Sequence, residues 1–162
     1  FSLFVAMQPD DFRITRSVTI SAPADKIFAQ VSDFHKWEAW SPWAKIDPNA
    51  KTAFEGTESG VGAIMRWAGN MDVGVGSSTI IEIKPNELIK FQLDFLEPMK
   101  GTNIGEFTFR SEGNKTVVAW SMYGKNNFIS KAIGIVFNCE KIVGGMFEKG
   151  LNNLKNIVEE KK

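Results

Sequence analysis

The sequence is poor in the residues that usually advertise chemistry. It holds one cysteine, Cys139, one histidine, His35, and one tyrosine, Tyr123. A single cysteine excludes an internal disulfide and leaves the redox compartment open. One histidine beside one cysteine also falls short of the clusters that supply zinc ligands, so no metal is expected. An excess of charge is missing too. Lys plus Arg and Asp plus Glu number 19 each, and that balance removes the electrostatic case for nucleic acid as a partner. No segment reaches the roughly 20 apolar residues of a membrane-spanning helix. Gly60-Val-Gly62 and Gly74-Val-Gly76 are not phosphate loops, because neither opens a helix with a lysine, and no cofactor is expected. There is no internal repeat and no low-complexity stretch.

What is plentiful is apolar bulk: 13 Phe, 5 Trp and 6 Met. Hydrophobic residues make up 43% and charged residues 23% of 162 positions, a globular composition long enough for one domain with its own core. Aromatic side chains in this number either fill a core or line an apolar cavity, and both fit the composition.

The start of the chain, Phe1-Ser-Leu-Phe-Val-Ala-Met7, is apolar and leads to the breaker Pro9-Asp-Asp11. Residues 1–11 are therefore set apart as an apolar arm or the remnant of a signal or membrane anchor, and 12–162 as the domain. A remnant would mean membrane attachment or export; otherwise the expected place is the cytoplasm. From 12 to 20, Phe12, Ile14, Val18 and Ile20 alternate with polar residues, the pattern of a half-buried strand. Pro23 opens a short helix to about Val31 with Ile27, Phe28 and Val31 as its stripe. Ser32-Asp33 can cap a second over 33–37. Further strands are read at 51–55, 61–68, 73–84, 88–96, 102–111 and 116–123. Turns at Gly69-Asn70, Pro85-Asn86 and Glu112-Gly-Asn114 make them an antiparallel meander. Gly74 and Gly76 signal a bulge or a close backbone approach. The last stretch, 137–161, repeats apolar residues at helical spacing: Ile142, Met146, Phe147, Leu151, Leu154 and Val158. It alone is long enough to cover the inward faces from Ile89 to Met122. Gly144, Gly145 and Gly150 make its first half, with the 128–137 lead-in, the less stable part.

Several segments carry a family resemblance. They are Ser17-Val-Thr-Ile-Ser-Ala-Pro23 with Lys26-Ile-Phe28, Asp33-Phe-His-Lys-Trp37, and Ala39-Trp-Ser-Pro-Trp43. With them go Gly60-Val-Gly62 with Met65 and Trp67, Thr116-Val-Val-Ala-Trp120, and Gly150-Leu-Asn-Asn-Leu-Lys155. Over 12–161 the chain resembles the START-like, or Bet v 1-like (SRPBCC), superfamily, and within it the polyketide cyclase/dehydrase branch. The resemblance implies an α+β helix-grip fold. A seven-stranded curved antiparallel sheet would wrap around the long C-terminal helix, with two short helices between the first two strands. It also implies a deep cavity between sheet and helix.

Strand parity turns Met65, Trp67, Phe91, Leu93, Phe95, Phe107, Phe109, Trp120 and Met122 toward that space. Ile142, Met146 and Phe147 would close it from the helix. Each of these residues serves equally well as core. Trp37, Trp40 and Trp43 put three indoles in seven residues of a segment that Pro42 keeps from being helical. Either their rings pin a loop, or Trp40 and Trp43 form an entrance gate or lipid contact. Candidates for acid–base work are sparse. His35 has only Asp33 nearby and reads as a surface residue. Among the acids Glu58, Asp72, Asp94 and Glu106, the polar strand parity of Asp94 and Glu106 sends them to water. Arg66 and Asp72 can pair across their turn, and no close carboxylate pair arises. Cys139, near the start of the long helix, is either an inert buried thiol or a reactive one. No catalytic residue is assigned. The expected function is binding of a small hydrophobic molecule or lipid. The alternatives are a cyclase or dehydrase using the cavity as a mould, and a membrane-associated interaction domain.

Overall fold

Alternation of apolar and polar residues produces seven strands: β1 (Asp11–Ile20), β2 (Lys51–Gly56), β3 (Ala63–Ala68), β4 (Val75–Lys84), β5 (Leu88–Glu97), β6 (Gly101–Glu112) and β7 (Lys115–Lys125). Between β1 and β2 stand α1 (Ala24–Val31) and a 3-10 helix (Phe34–Ala39), and the chain closes with α2 (Ile135–Glu160). The computed structural model describes residues 11–41, 50–69, 75–97, 101–125 and 135–160. At 11, 12, 97, 101, 125, 135–143 and 160 it describes the backbone alone. The expectations for residues 1–10, Trp43, Asn70, Asp72, Gly74 and the segment 126–134, and for the side chains of Cys139 and Ile142, lie outside the described residues.

The strands form one curved sheet in the order β1-β7-β6-β5-β4-β3-β2, antiparallel throughout. β2 to β7 are a plain meander, as short turns require. β1 breaks the sequence order and pairs along its whole length with β7, from Asp11↔Lys125 to Ile20↔Thr116. The arrangement is the α+β helix grip that the sequence leads one to expect. Boundaries moved where glycine set them. β3 begins at Ala63 because Gly60 and Gly62 hold φ values of +75° and +95°, outside strand geometry. The register of β4 with β5 shifts between Val75 and Gly76, an irregularity beside the second of the two glycines. A Cβ on Gly76 would lie 2.7 Å from the Trp67 ring.

The helices are anchored locally. α1 starts after Pro23, whose backbone is extended, and buries Ala24, Ile27 and Val31. The Asp33 side chain accepts from the His35 backbone N–H at 3.0 Å and so caps the next segment. That segment is a 3-10 helix and runs two residues past the expected end at Trp37. α2 is described from Ile135, two residues before the expected start at Phe137. One correction concerns cover. α2 packs on β1 and, less extensively, on β7 and α1, whereas α1 packs on β6 and the 3-10 helix on β3. The long helix therefore does not cover the sheet alone. The two short helices share the work, with Trp37 and Trp40 packed on the rings of Phe107 and Trp120.

Candidate functional site

The concave face divides into two ends. At one, β1 runs straight into α1, and the C-terminal turn of α2 is tied there, since the Ser21 N–H donates to Glu159 Oε2 at 2.9 Å. This end is closed. Ile20, Ile89, Phe109, Val118, Leu151 and Leu154 are buried in it. Next to it, a set of rings fills the middle of the grip. Trp120 stacks on Phe107 with centroids 4.8 Å apart and on Phe147 at 4.1 Å. Trp37 meets Phe91 edge-on at 5.6 Å, and Trp40 meets Trp120 at 5.6 Å. The indoles tolerate burial because each has a partner. Trp37 Nε1 donates to the Val31 carbonyl at 2.8 Å, and Trp40 Nε1 donates to that of Gln30 at 3.3 Å. Trp40 is 1% exposed. It is a core residue and not the entrance gate that its loop position suggests. Phe91, Phe107, Phe109, Trp120 and Phe147 are likewise buried against one another.

The other end is different. Met65, Trp67, Leu93, Phe95, Met122 and Met146 are only half-buried. The register gathers the strand residues among them. One row across the sheet runs Trp67, Gly76, Phe95; the next runs Met65, Ser78, Leu93, Asn103. Met122 follows beside Gly105. The Trp67 and Phe95 rings meet edge-on at 6.2 Å. Met146 lies on α2 on the N-terminal side of Phe147, away from the helix end tied at Ser21. The expected site residues thus separate into a packed aromatic middle and an apolar row that is still partly open.

Two polar residues in that row went unnoticed in the sequence, Ser78 and Asn103. Their signal is parity: Ser78 shares the inward face of β4 with Gly76 and Ile80, and Asn103 that of β6 with Gly105, Phe107 and Phe109. Arg16 carries the same signal on β1. It is the one charged side chain on the inner face among the described residues. Its guanidinium is held at the rim, donating to Glu148 Oε1 at 3.0 Å and to the Thr15 carbonyl at 2.8 Å.

The acids and the histidine lie elsewhere. His35, 46% exposed, has its Nδ1 2.8 Å from Asp33 Oδ1 and stacks on Phe54 with centroids 4.1 Å apart. Partial burial raises the Asp33 pKa, but the hydrogen bonds and charge of His35 outweigh it and hold the carboxyl below its ordinary value. Asp94, on the outer face, accepts from Thr102 at 2.8 Å and from Gln92. Glu106, also on the outer face, sits 3.6 Å from Arg13 and is more shielded than its parity implies. Arg66 pairs with Glu55 across β2–β3, and the pairing with Asp72 read from the turn lies outside the described residues. Among the described residues no group of three or more His, Cys, Asp or Glu could hold a metal ion, and no helix is long and apolar enough to cross a membrane.

A sequence model for polyketide cyclases/dehydrases and lipid transport proteins matches residues 11–159. The chain belongs to that family. Solved structures share the family fold at low identity. The di-domain ARO/CYC StfQ from the steffimycin biosynthetic pathway superposes with a TM-score of 0.74 at 11% identity, over 93% of this chain and 51% of StfQ. A protein from Thermobifida fusca gives 0.70 at 16%, covering 91% and 93% of the two chains. The Aha1 dimer from Colwellia psychrerythraea gives 0.60 at 14%, covering 89% and 96%. No curated protein matches the sequence. The family assignment bears on the apolar row, since its description joins ring-forming enzymes to carriers of lipids.

Proposed function

We propose that this domain binds a small hydrophobic molecule or lipid between the open end of the sheet and the N-terminal half of α2. The observation that carries the reading is the contrast along one concave face. The closed end is packed with aliphatic side chains and Phe109 and the middle with rings, whereas Met65, Trp67, Leu93, Phe95 and Met122 stay half-buried at the other end. Apolar side chains gathered in a concavity and left partly in water gain free energy when a ligand covers them, roughly 25 cal/mol per Å². Ser78 and Asn103, polar side chains described there, suit hydrogen bonding more than proton transfer. This favours a carrier or sensor over a cyclase that must move protons.

The test uses N-phenyl-1-naphthylamine, a neutral probe that brightens in apolar surroundings. It should bind the wild type with a rise in emission, and Leu93→Arg should abolish the rise while circular dichroism keeps the native spectrum. A wild type that leaves the probe dark would overturn the reading.

A further inference from the structure

Ser78 is the most enclosed polar group of the open end. It is 3% exposed and stands on the inner face of β4 between Met65 of β3 and Leu93 of β5. Its hydroxyl makes no side-chain hydrogen bond among the described residues, and neither does the amide of Asn103. Among the described residues, two of the other three enclosed hydroxyls are hydrogen-bonded to side chain or backbone, and the third, Ser77, 9% exposed, lies on the outer face of β4 beside Arg66 and Asp94. Thr116 Oγ1 donates to the Ala22 carbonyl at 2.8 Å, and Ser121 Oγ lies 3.0 Å from Thr15 Oγ1 on the outer face. Every fully enclosed side-chain nitrogen or oxygen among the described residues has a partner. The Ser78 hydroxyl, with no side-chain hydrogen bond among the described residues, must therefore still reach open space, and its strand position is in the apolar row.

Asn103 sits one strand beyond Leu93, on β6. Room is kept for its amide. A Cβ on the neighbouring Gly124 of β7 would collide with Asn103 Oδ1, so the missing side chain at 124 leaves a slot that the amide occupies. Ser78 and Asn103 lie two strand spacings apart, about 10 Å, with Leu93 between them. Both are neutral, and both can donate and accept.

The geometry points to Ser78 and Asn103 as the polar contacts of the ligand, and to a ligand that is neutral, mainly apolar and oxygenated. This rests on the binding reading above and narrows it. An enclosed hydroxyl and a half-buried amide, neither with a side-chain hydrogen bond among the described residues, favour a ligand that brings hydroxyl or carbonyl oxygens to them. A carboxylate is disfavoured, because a charge taken into this row needs a cation beside it. Arg16, the charged side chain of the described inner face, is already engaged with Glu148 and the Thr15 carbonyl at the rim.

The test compares dodecan-2-one, dodecane and dodecanoate as competitors of N-phenyl-1-naphthylamine. The wild type should prefer the ketone to the alkane by about tenfold, the worth of one well-placed neutral hydrogen bond, and should take the carboxylate more weakly than the ketone. The ketone-to-alkane preference should fall toward unity in Ser78→Ala or in Asn103→Leu, and should survive in Ser78→Thr, which keeps the hydroxyl. Reading a ratio within each variant removes any general loss of affinity. Probe binding with no ketone preference, or with dodecanoate as the best competitor, would overturn this inference and leave the binding reading standing. Failure of the probe to bind the wild type would overturn both.

Discussion

Trp120 on β7 and Phe147 on α2 stack with centroids 4.1 Å apart and planes 12° from parallel. This contact joins the sheet to the helix that it grips, and Phe147 belongs to the buried core. Truncation there removes a buried ring and leaves a cavity that flanking rings fill only in part. Phe147→Ala should lower unfolding stability by about 3–5 kcal/mol, read from urea unfolding at neutral pH. Phe147→Leu should cost well under half as much. Equal losses for the two variants would mean that the stack is not what fastens the helix.

Gly105 makes room for a ring in the opposite sense. A Cβ at this position would run into the Phe91 side chain across the β5–β6 pair. Gly105→Ala should therefore destabilise by roughly 1–3 kcal/mol through overpacking. In the Phe91→Leu background the same substitution should cost less, a non-additivity expected for residues in contact. Additive losses in the double-mutant cycle would contradict the clash.

The adjacent glycines of α2 should respond differently to alanine. A methyl added at Gly145 would have nothing within 4 Å, whereas one added at Gly144 would meet the Arg16 guanidinium. Gly145→Ala should raise stability by up to about 1 kcal/mol through helix propensity alone. Gly144→Ala should gain less or lose, because Arg16 must leave its position 3.0 Å from Glu148. Thermal unfolding of the two variants side by side decides it, and equal gains would show that Arg16 moves at no cost.

The Asp33 carboxyl is held below its ordinary pKa, so its contribution has a defined sign. A folded-state pKa below the unfolded value gives stability that is complete above the unfolded pKa, about 3.9, and is lost as pH falls through the folded value. Asp33→Asn keeps a capping side chain and removes the charge. The melting temperature of the wild type should then fall more steeply below about pH 4 than that of Asp33→Asn. Parallel curves would remove Asp33 from the acid response.

Much of the fold was legible because strand alternation and glycine- or asparagine-bearing turns are local signals. The site was legible only by halves. Parity says that Leu93 and Phe107 share a face, but it does not say that Phe107 lies beneath Trp40 while Leu93 stays half-open. That difference depends on which helix covers which row, a long-range outcome. Trp40 misled for a related reason. Its burial depends on the Gln30 carbonyl ten residues earlier, a partner that no spacing rule nominates. Ser78 and Asn103 escaped notice because a single polar residue in a strand carries no local mark of having no partner.

The pairing of β1 with β7 has a consequence for how the molecule is made. Thr15 and Ser121 are hydrogen-bonded neighbours separated by 106 positions in the chain. Strands β2 to β7 can zip together in order as they leave the ribosome. β1, synthesised before them, has no partner until β7 is complete. Until then β7 presents a bare edge, the kind of template that recruits foreign strands, and closing so long a loop is slow. The docking of β1 should be the last step of sheet assembly. The interval before it is when the nascent chain is most exposed to aggregation and has most use for a chaperone.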